Sequence, residues 1–450
     1  MAFVLDNVRV VTHGNATRVA RVAIADGVVR AWDAACPNDW PREDGGGLLL
    51  LPGVIDPHVH FDDPGYTNRE DFPHGTRAAI AGGVTTVCDM PDTCVPPVTT
   101  AAALTAKCAA LAGRACCDFA LWGGVSALAL EQPAWREEMA ALWRAGVIAF
   151  KTYTLSGMDT FPQLTYAQYR EVLRHAAELG ALVGVHAEDA ALVAAGMAAA
   201  VRPATDARAY AAARPVAAEV TAIRRVGELA GELGARLHIV HVSSGSGADE
   251  IARLQRQGVD ISAETCPQYL AFTTDDLARL GAVLKCAPPV RSEDERQRLW
   301  SHIGTTISML ASDHAPCTPA EKNTPDIFSA YGGMPGVELI LPFALTYGYH
   351  ARRLTLQALT GLLGGAAAAR YGLARRKTGL HVGGDADFVL VDTERTWTLA
   401  GADLHSKGRL TPFAGAQFRG RVAHTFVRGA CVAPDDPTTP ARGAFLRAEH

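Results

Sequence analysis

Two hydrophobic periods alternate along the chain. The first segment reads as short strands: FVLDNVRVV, ATRVARVAIADGVVRAW and GGGLLL, joined by turns at Asn-Ala, Asp-Gly and Gly-Gly. The last segment reads the same way, with ADFVLVD, RTWTL, RVAHTFVRG and ACVAP as strand-like stretches. The middle differs. Eight short apolar runs recur there: LLLLPGVIDPHVH, VTTVCDMP, DFALWGGV, GVIAFKTYT, ALVGVHAED, RLHIVHVSS, VDISAETCPQYL and SMLASDHAP. Amphipathic stretches lie between them. In YAQYREVLRHAAELG (166–180), Tyr169, Val172, Leu173 and Leu179 fall near one helical face. In AEVTAIRRVGELAGELG (218–234), Gly234 is placed to end the helix before the next strand.

Continuous apolar runs alternating with helices predict parallel strands covered on both faces. Eight such units predict an α/β fold, a (β/α)8 barrel. A doubly wound sheet is the alternative, but no Gly-rich phosphate turn follows its first strand. A length of 450 residues gives a prior of about three domains. The pattern reduces this to two: residues 51–377 as one large barrel, and residues 1–50 with 378–450 as one small β-sandwich built from both ends.

Composition narrows the partners. With 48% hydrophobic residues and a formal net charge of -5, the chain has a core to bury and no electrostatic footprint for nucleic acid. No run of ~18 apolar residues predicts a membrane span. The start, MAFVLDNVRVV, lacks a charged region followed by an apolar one, so secretion is not expected. None of the ten Cys forms a C-x-x-C pair, and a reducing cytoplasm is the simplest setting.

In a barrel the active site lies at the C-terminal ends of the strands. Those ends carry His58 and His60, Lys151, His186, His241 and Asp313. His58 and His60 are two apart on a strand, so both imidazoles can reach one metal ion. Alone, His186 or His241 is as readily a hydrogen-bonded core histidine. His238, three residues before His241 and on the opposite face, is read as packing. Four imidazoles and a carboxylate together suit zinc or a similar divalent ion. Lys151 at the end of a buried strand is costly unless paired or modified. One reading is a salt bridge to Glu188 or Asp189. The other is a carbamate formed with carbon dioxide, an anionic ligand able to bridge two metal ions. Asp313 can be a ligand and also the base that takes a proton as hydroxide attacks a carbonyl, then returns it to the leaving nitrogen.

With PGVIDPHVH, AGGVTTVCDMP, HVSS, ETCPQYL, APPVR, ASDHAPC and GGDADFVLVD, these positions make the chain resemble the amidohydrolase superfamily over nearly its whole length. More narrowly it is similar to the cyclic amidohydrolases: allantoinase, hydantoinase/dihydropyrimidinase and dihydroorotase. The resemblance implies a carboxylated Lys151 bridging two zinc ions. His58, His60, Lys151 and Asp313 would hold one ion, and Lys151, His186 and His241 the other. It also implies a small cyclic amide substrate and a homotetramer or homodimer.

The branches differ in detail. Similar dihydroorotases hold the substrate carboxylate with an Arg and an Asn, where Asp62 and Asp92 stand here. Two like charges at ~4 Å and an effective dielectric near 20 repel by roughly 4 kcal/mol, which argues against dihydroorotate. Met90-Pro91 with the downstream Pro96-Pro97, Trp122-Gly123-Gly124 and LTPFAGAQFRGRV look closer to allantoinases. Allantoin is neutral and rich in N–H donors, so Asp62 or Asp92 makes sense as an acceptor; the alternative is a solvated loop residue. PQYL, TTDD and APPVR resemble hydantoinases, although Ser156 stands where those often carry a Tyr, with Tyr153 nearby. Segment 315–335 is expected to form a loop over the site, with Cys317 lining the pocket or else buried as a small residue. The expectation is an allantoinase-like opening of a cyclic ureide, ahead of hydantoinase or dihydroorotase chemistry. A non-catalytic assembly partner is the rival class, and metal content separates the two.

Overall fold

The structure, a computed structural model, describes residues 2–377, 379–436 and 440–450. From the N-terminal side come β1 (Ala2–His13), β2 (Ala16–Ala25) and β3 (Val28–Trp32), an antiparallel meander. The β2–β3 turn carries Asp26 and Gly27 with φ of 55° and 79°, the left-handed pair that matches strand twist in a two-residue hairpin. β4 (Arg42–Asp44) and β5 (Leu49–Pro52) run parallel to β1.

The barrel staves follow: β6 (Val54–Val59), β7 (Val84–Asp89), β8 (Asp118–Leu121), β9 (Gly123–Gly124), β10 (Phe150–Tyr153), β11 (Leu182–His186), β12 (Arg236–Ile239), β13 (Ile261–Thr265) and β14 (Met309–Leu310). Consecutive staves pair in parallel, with β8 and β9 forming one stave interrupted at Trp122. The ring closes where Val59 bridges His314 and the His60 N–H donates to the His314 carbonyl at 2.8 Å. All eight expected staves are present. Their side chains alternate: Ile55, Cys88, Ala120, Trp122, Leu182 and Val240 fill the barrel, while Val54, Val87, Phe119, Val183 and Leu237 face the helices.

One expected element is two. The run 48–60 divides at Gly53 into β5, which belongs to the terminal sheet, and β6, the first stave. A Cβ at Gly53 would lie 2.1 Å from Thr85 Oγ1, so only glycine lets the chain cross from one sheet to the other against β7. Leu51 and Pro52, expected in the barrel, are therefore part of the terminal sheet.

The far end supplies β15 (Phe388–Thr398), β16 (Gln417–Val427) and β17 (Ala430–Val432). ADFVLVD and RTWTL are one strand, not two. The terminal strands form a single mixed sheet in the order β17-β16-β15-β5-β1-β2-β3, with β4 beside β1. Its ends meet: Val28 bridges Asp385, and Phe3, Val22, Ile24, Phe388 and Phe426 share one core. The expected start of the C-terminal part, Thr378, lies outside the described residues.

Helix ends follow the local chemistry. The helix Tyr166–Leu179 opens on a Thr165/Gln168 capping box and stops at Gly180, φ 67°. Ala176 rather than Leu179 completes its buried stripe. The helix Val216–Leu233 stops at Gly234, φ 64°. At the barrel floor, Leu446 and Ala448 join the interior core, through bonds from Leu446 N–H to Phe119 O (2.7 Å) and Ala448 N–H to Gly146 O (3.0 Å). Beside them Lys377 binds Asp118 of β8 at 2.7 Å and Asp385 at 2.9 Å, joining the barrel to the terminal sheet.

His405 makes a second link of that kind. Its Nδ1 is 3.0 Å from Glu338 of the barrel segment and its Nε2 is 2.9 Å from Asp435. The hydrogen bond to Glu338, with help from Asp435, raises its pKa to about 9. The unfolded value is about 6.5. The stabilisation is therefore complete below about pH 6.5 and is lost as pH rises through about 9. Denaturation midpoints of the wild type and His405→Gln should differ by a constant amount at low pH and converge by pH 9 to 10. A gap that persists there would refute the linkage. Inside the barrel, a Cβ at Gly184 would lie 2.4 Å from the Trp122 ring. Gly184→Ala should cost about 1–3 kcal/mol in denaturant titrations through overpacking.

Candidate metal centre and cavity

Four imidazoles meet at the strand ends. His58 Nε2 and His60 Nε2 are 3.2 Å apart, and His186 Nδ1 and His241 Nε2 are 3.0 Å apart. The pairs adjoin, with the His58 and His241 ring centroids separated by 5.4 Å. Asp313 Oδ1 lies 3.3 Å from His58 Nε2 and 3.5 Å from His60 Nε2. Zinc ligands at 2.0–2.1 Å in a tetrahedron stand about 3.3 Å from one another. Both imidazole pairs and Asp313 have that spacing, so the donor set fits a divalent cation.

Lys151 sits between these groups in β10. It is fully buried, and its Nζ has no hydrogen-bond partner. The nearest aromatic face, Tyr153, is 4.9 Å away. The alternative salt bridges are absent. Glu188 binds His186 at 2.9 Å and Arg214, while Asp189 accepts from Tyr166 Oη at 2.9 Å and from Arg225 at 3.0 Å. Burial pushes the Lys151 pKa down, towards the neutral amine. Together with His241 Nδ1, also buried and unpartnered, the lysine nitrogen marks a place where protein groups alone leave polar atoms unsatisfied.

Backbone strain aims two of these groups. His241 has φ 39° and Asp313 φ 50°, left-handed values that cost a non-glycine residue about 1–3 kcal/mol each. At His241 this breaks the strand alternation. His238 is consequently not on the opposite face. Its Nε2 is 3.2 Å from Glu264 Oε2, and the other oxygen of that carboxylate is 2.6 Å from His58 Nδ1. The packing role expected of His238 holds: its Nδ1 meets Ser262 Oγ at 2.8 Å and its ring lies against Trp122 and Tyr371.

Burial, reinforced by the charge of Lys151, pushes His58 and His241 well down. Burial also lowers His186, against the pull of Glu188. Neutral imidazole is the form that binds metal. At His60 burial is outweighed by Asp92 and Asp313, and the pKa rises. Glu264 is held up to about 8 by burial. This glutamate was missed as a site residue in the sequence, although a charge inside the apolar run VDISAETCPQYL was the available signal.

The centre opens into a cavity of about 490 Å³, lined among others by His60, His186, His241 and Asp313. Asp92 lines it too. Its Oδ2 accepts from Tyr153 Oη at 2.9 Å, and its Oδ1 is buried without a partner. Two cations line the cavity: Arg214, ion-paired with Glu188, and Lys285, whose ammonium donates to the carbonyls of Phe328 (2.9 Å) and Ala330. Segment 315–335 covers the site as expected, through Ala315, Phe328, Tyr331 and Gly333.

Of the other expected substrate contacts, Ser156 lies on the cavity wall, Asp62 lies off it, and Cys317 follows its alternative reading as a buried small residue. Ser156 lines the cavity, but its hydroxyl donates to Phe161 O at 2.8 Å and accepts from Met158 N–H at 3.1 Å, which builds its own loop. Asp62 is 1% exposed and is not among the lining residues. A φ of 57° turns it into the tight bend in which its carbonyl accepts the Tyr66 N–H, and burial raises its pKa to about 7. Cys317 is also buried and off the lining, with its backbone packed against Gly408.

A closed barrel whose strand ends gather imidazoles and a carboxylate to the spacing of a divalent cation has the donor arrangement that metal-assisted hydrolysis requires. The chain belongs to the amidohydrolase family, which it matches over residues 49–432. It is 42% identical over 422 residues to an allantoinase of Rubrobacter xylanophilus, covering 92% of this chain and 90% of the other. It is 41% identical over 431 residues to an allantoinase of Solibacter usitatus, covering 95% and 93%. Among solved structures, the L-hydantoinase (dihydropyrimidinase) from Arthrobacter aurescens superposes with a TM-score of 0.92 at 32% identity, over 99% of each chain. The protein is accordingly a hydrolase of carbon–nitrogen bonds in cyclic amides.

Tyr153→Phe removes the hydroxyl that satisfies Asp92 and leaves a buried carboxylate oxygen bare. It should lower stability by about 1–3 kcal/mol in denaturant titrations at neutral pH. An unchanged midpoint would show that the bond carries no weight.

Proposed function

We propose that the protein opens the ring of allantoin to give allantoate, using two zinc ions held by His58, His60, Lys151, His186, His241 and Asp313, with Lys151 carboxylated. The observation that carries this reading is a buried lysine with no acceptor among four converging imidazoles, beside a cavity whose wall carries the carboxylate of Asp92. A substrate carboxylate would meet Asp92, while Arg214 already has Glu188 as its counter-ion and Lys285 is held by the carbonyls of the covering loop. A neutral ring rich in N–H groups finds in Asp92 Oδ1 a buried acceptor that lacks a donor. This favours allantoin or a hydantoin over dihydroorotate, and the allantoinase relatives at 42% and 41% identity favour allantoin.

Bound divalent ions would supply an acidified water and a polarised amide carbonyl. The chain's own residues do the rest. Asp313, 15% exposed at the cavity wall, takes the proton from the attacking water and returns it to the ring nitrogen as that nitrogen leaves. Asp92, held by Tyr153, orients a ring N–H. The 315–335 loop keeps bulk water out. Ten free cysteines support a reducing cytoplasm as the setting. Among the described residues no helix is long and apolar enough to cross a membrane. A homotetramer or homodimer belongs to the same reading and is tested by light scattering.

The decisive experiment is a turnover panel of allantoin, hydantoins, dihydrouracil and dihydroorotate with the zinc-loaded enzyme. Allantoin should be turned over best. Dihydroorotate as the preferred substrate would overturn the reading of Asp92. Asp313→Asn should lower kcat by about 10²–10⁴-fold or more while the protein stays folded. Purified wild-type protein with no divalent metal and an unmodified Lys151 would favour the non-catalytic partner instead.

A further inference from the structure

We propose that Arg214, a residue outside the barrel strands, is a positioning residue for the metal centre, acting on His186 through Glu188. The inference rests on the reading that His186 holds a divalent ion.

His186 points Nδ1 towards His241, at 3.0 Å, and its other nitrogen, Nε2, towards Glu188 Oε2, at 2.9 Å. For Nδ1 to offer a lone pair, the ring proton must sit on Nε2, and a fixed acceptor there sets both tautomer and ring orientation. Glu188 is that acceptor, and it is fully buried. One carboxylate on a flexible stem does not fix an imidazole unless it is itself held. Arg214 holds it with both prongs of its guanidinium: Nε meets Oε1 at 3.1 Å and the second nitrogen meets Oε2. Such a fork locks the carboxylate plane in a way a single charge does not.

Arg214 is in turn fixed from behind. Its guanidinium lies over the Tyr210 ring at 5.4 Å, and its carbonyl accepts from Arg291. Arg291 Nε donates to Ser243 Oγ at 2.9 Å, and Ser243 N–H donates to the buried Glu219 at 2.8 Å. Ser243 stands two residues beyond His241. The chain of contacts therefore starts at one imidazole of the pair and returns to the loop that carries the other. Arg214 also lines the cavity, and the segment that carries it is pinned to the covering loop by Arg202 and Asp326 at 2.7 Å. Among the described residues nothing comparable backs His58, whose carboxylate, Glu264, is shared with imidazoles and has no guanidinium bonded to it.

The test is cobalt(II) titrated into chelator-treated full-length protein with bicarbonate present. Affinity is read by competition with a chromophoric chelator and geometry by the visible absorption of bound cobalt. Arg214→Gln should weaken a cobalt site by about 10–100-fold and change its absorption. Arg214→Lys keeps the charge without the fork and should recover only part of the loss. Glu188→Gln should behave like Arg214→Gln, and the double variant should lose little more than either single one, because both act along one path. If Arg214→Gln fails to fold, the lysine variant and Glu188→Gln give the same reading. Wild-type protein that binds cobalt, with Arg214→Gln unchanged in affinity and spectrum, overturns the inference alone, as does a strictly additive double variant. Wild-type protein that binds no cobalt overturns the metal reading and this inference with it.

Discussion

An ammonium enclosed in a protein interior must meet an anion, lose its proton or be changed chemically. Lys151 sits under that constraint, and the rest of the centre is arranged around it. The nearby carboxylates face other groups, Glu188 with Arg214, Asp189 with Arg225, Glu264 with His58 and His238, Asp313 with His58 and His60, and Asp92 through one oxygen with Tyr153, and none of them hydrogen-bonds the lysine nitrogen. Under the proposed function the lysine becomes an anion itself, and the charges it then faces are those of the ions it helps to hold. The same logic explains why burial, which usually endangers a site full of titratable groups, is useful here. It keeps His58, His186 and His241 neutral and therefore able to act as ligands.

Much of this was legible in the sequence, wherever one rule decides direction. Period two carries Leu182, Gly184 and His186 along one face of β11, so an apolar run ending in histidine predicts a histidine inside the barrel mouth. His-x-His at the end of β6 works the same way. What escaped depends on backbone that leaves the regular pattern. His241 reaches the centre through a left-handed φ, and the alternation that separates it from His238 fails there. Asp62 and Cys317 stand outside strands and helices, where spacing does not say which way a side chain looks. The split at Gly53 was hidden because two sheets share one unbroken apolar run. Glu188 was visible as a partner for Lys151, but its true partner, Arg214, lies 26 residues further along the chain on no predicted strand.

The cavity separates holding from recognition. Its cations serve structure: Arg214 steadies a carboxylate and Lys285 ties down the covering loop by its carbonyls. Away from the imidazoles, Asp92 Oδ1 is an uncommitted acceptor in its wall. Under the proposed function such a wall selects for ring N–H donors, and the carboxylate of Asp92 opposes an anionic substrate.

The barrel floor has a consequence for how the molecule comes into being. Leu446 and Ala448 fill the bottom of the interior core, and β5 pairs with β1 on one side and with β15, from the far part of the chain, on the other. On the ribosome, the staves emerge long before the residues that seal them. The nascent barrel must wait with its base open to water, and the terminal sheet stays incomplete until β15–β17 have been made. A chain shortened by the floor-sealing residues would lose a piece of the interior itself, so this protein should tolerate truncation poorly at the end where most domains tolerate it well.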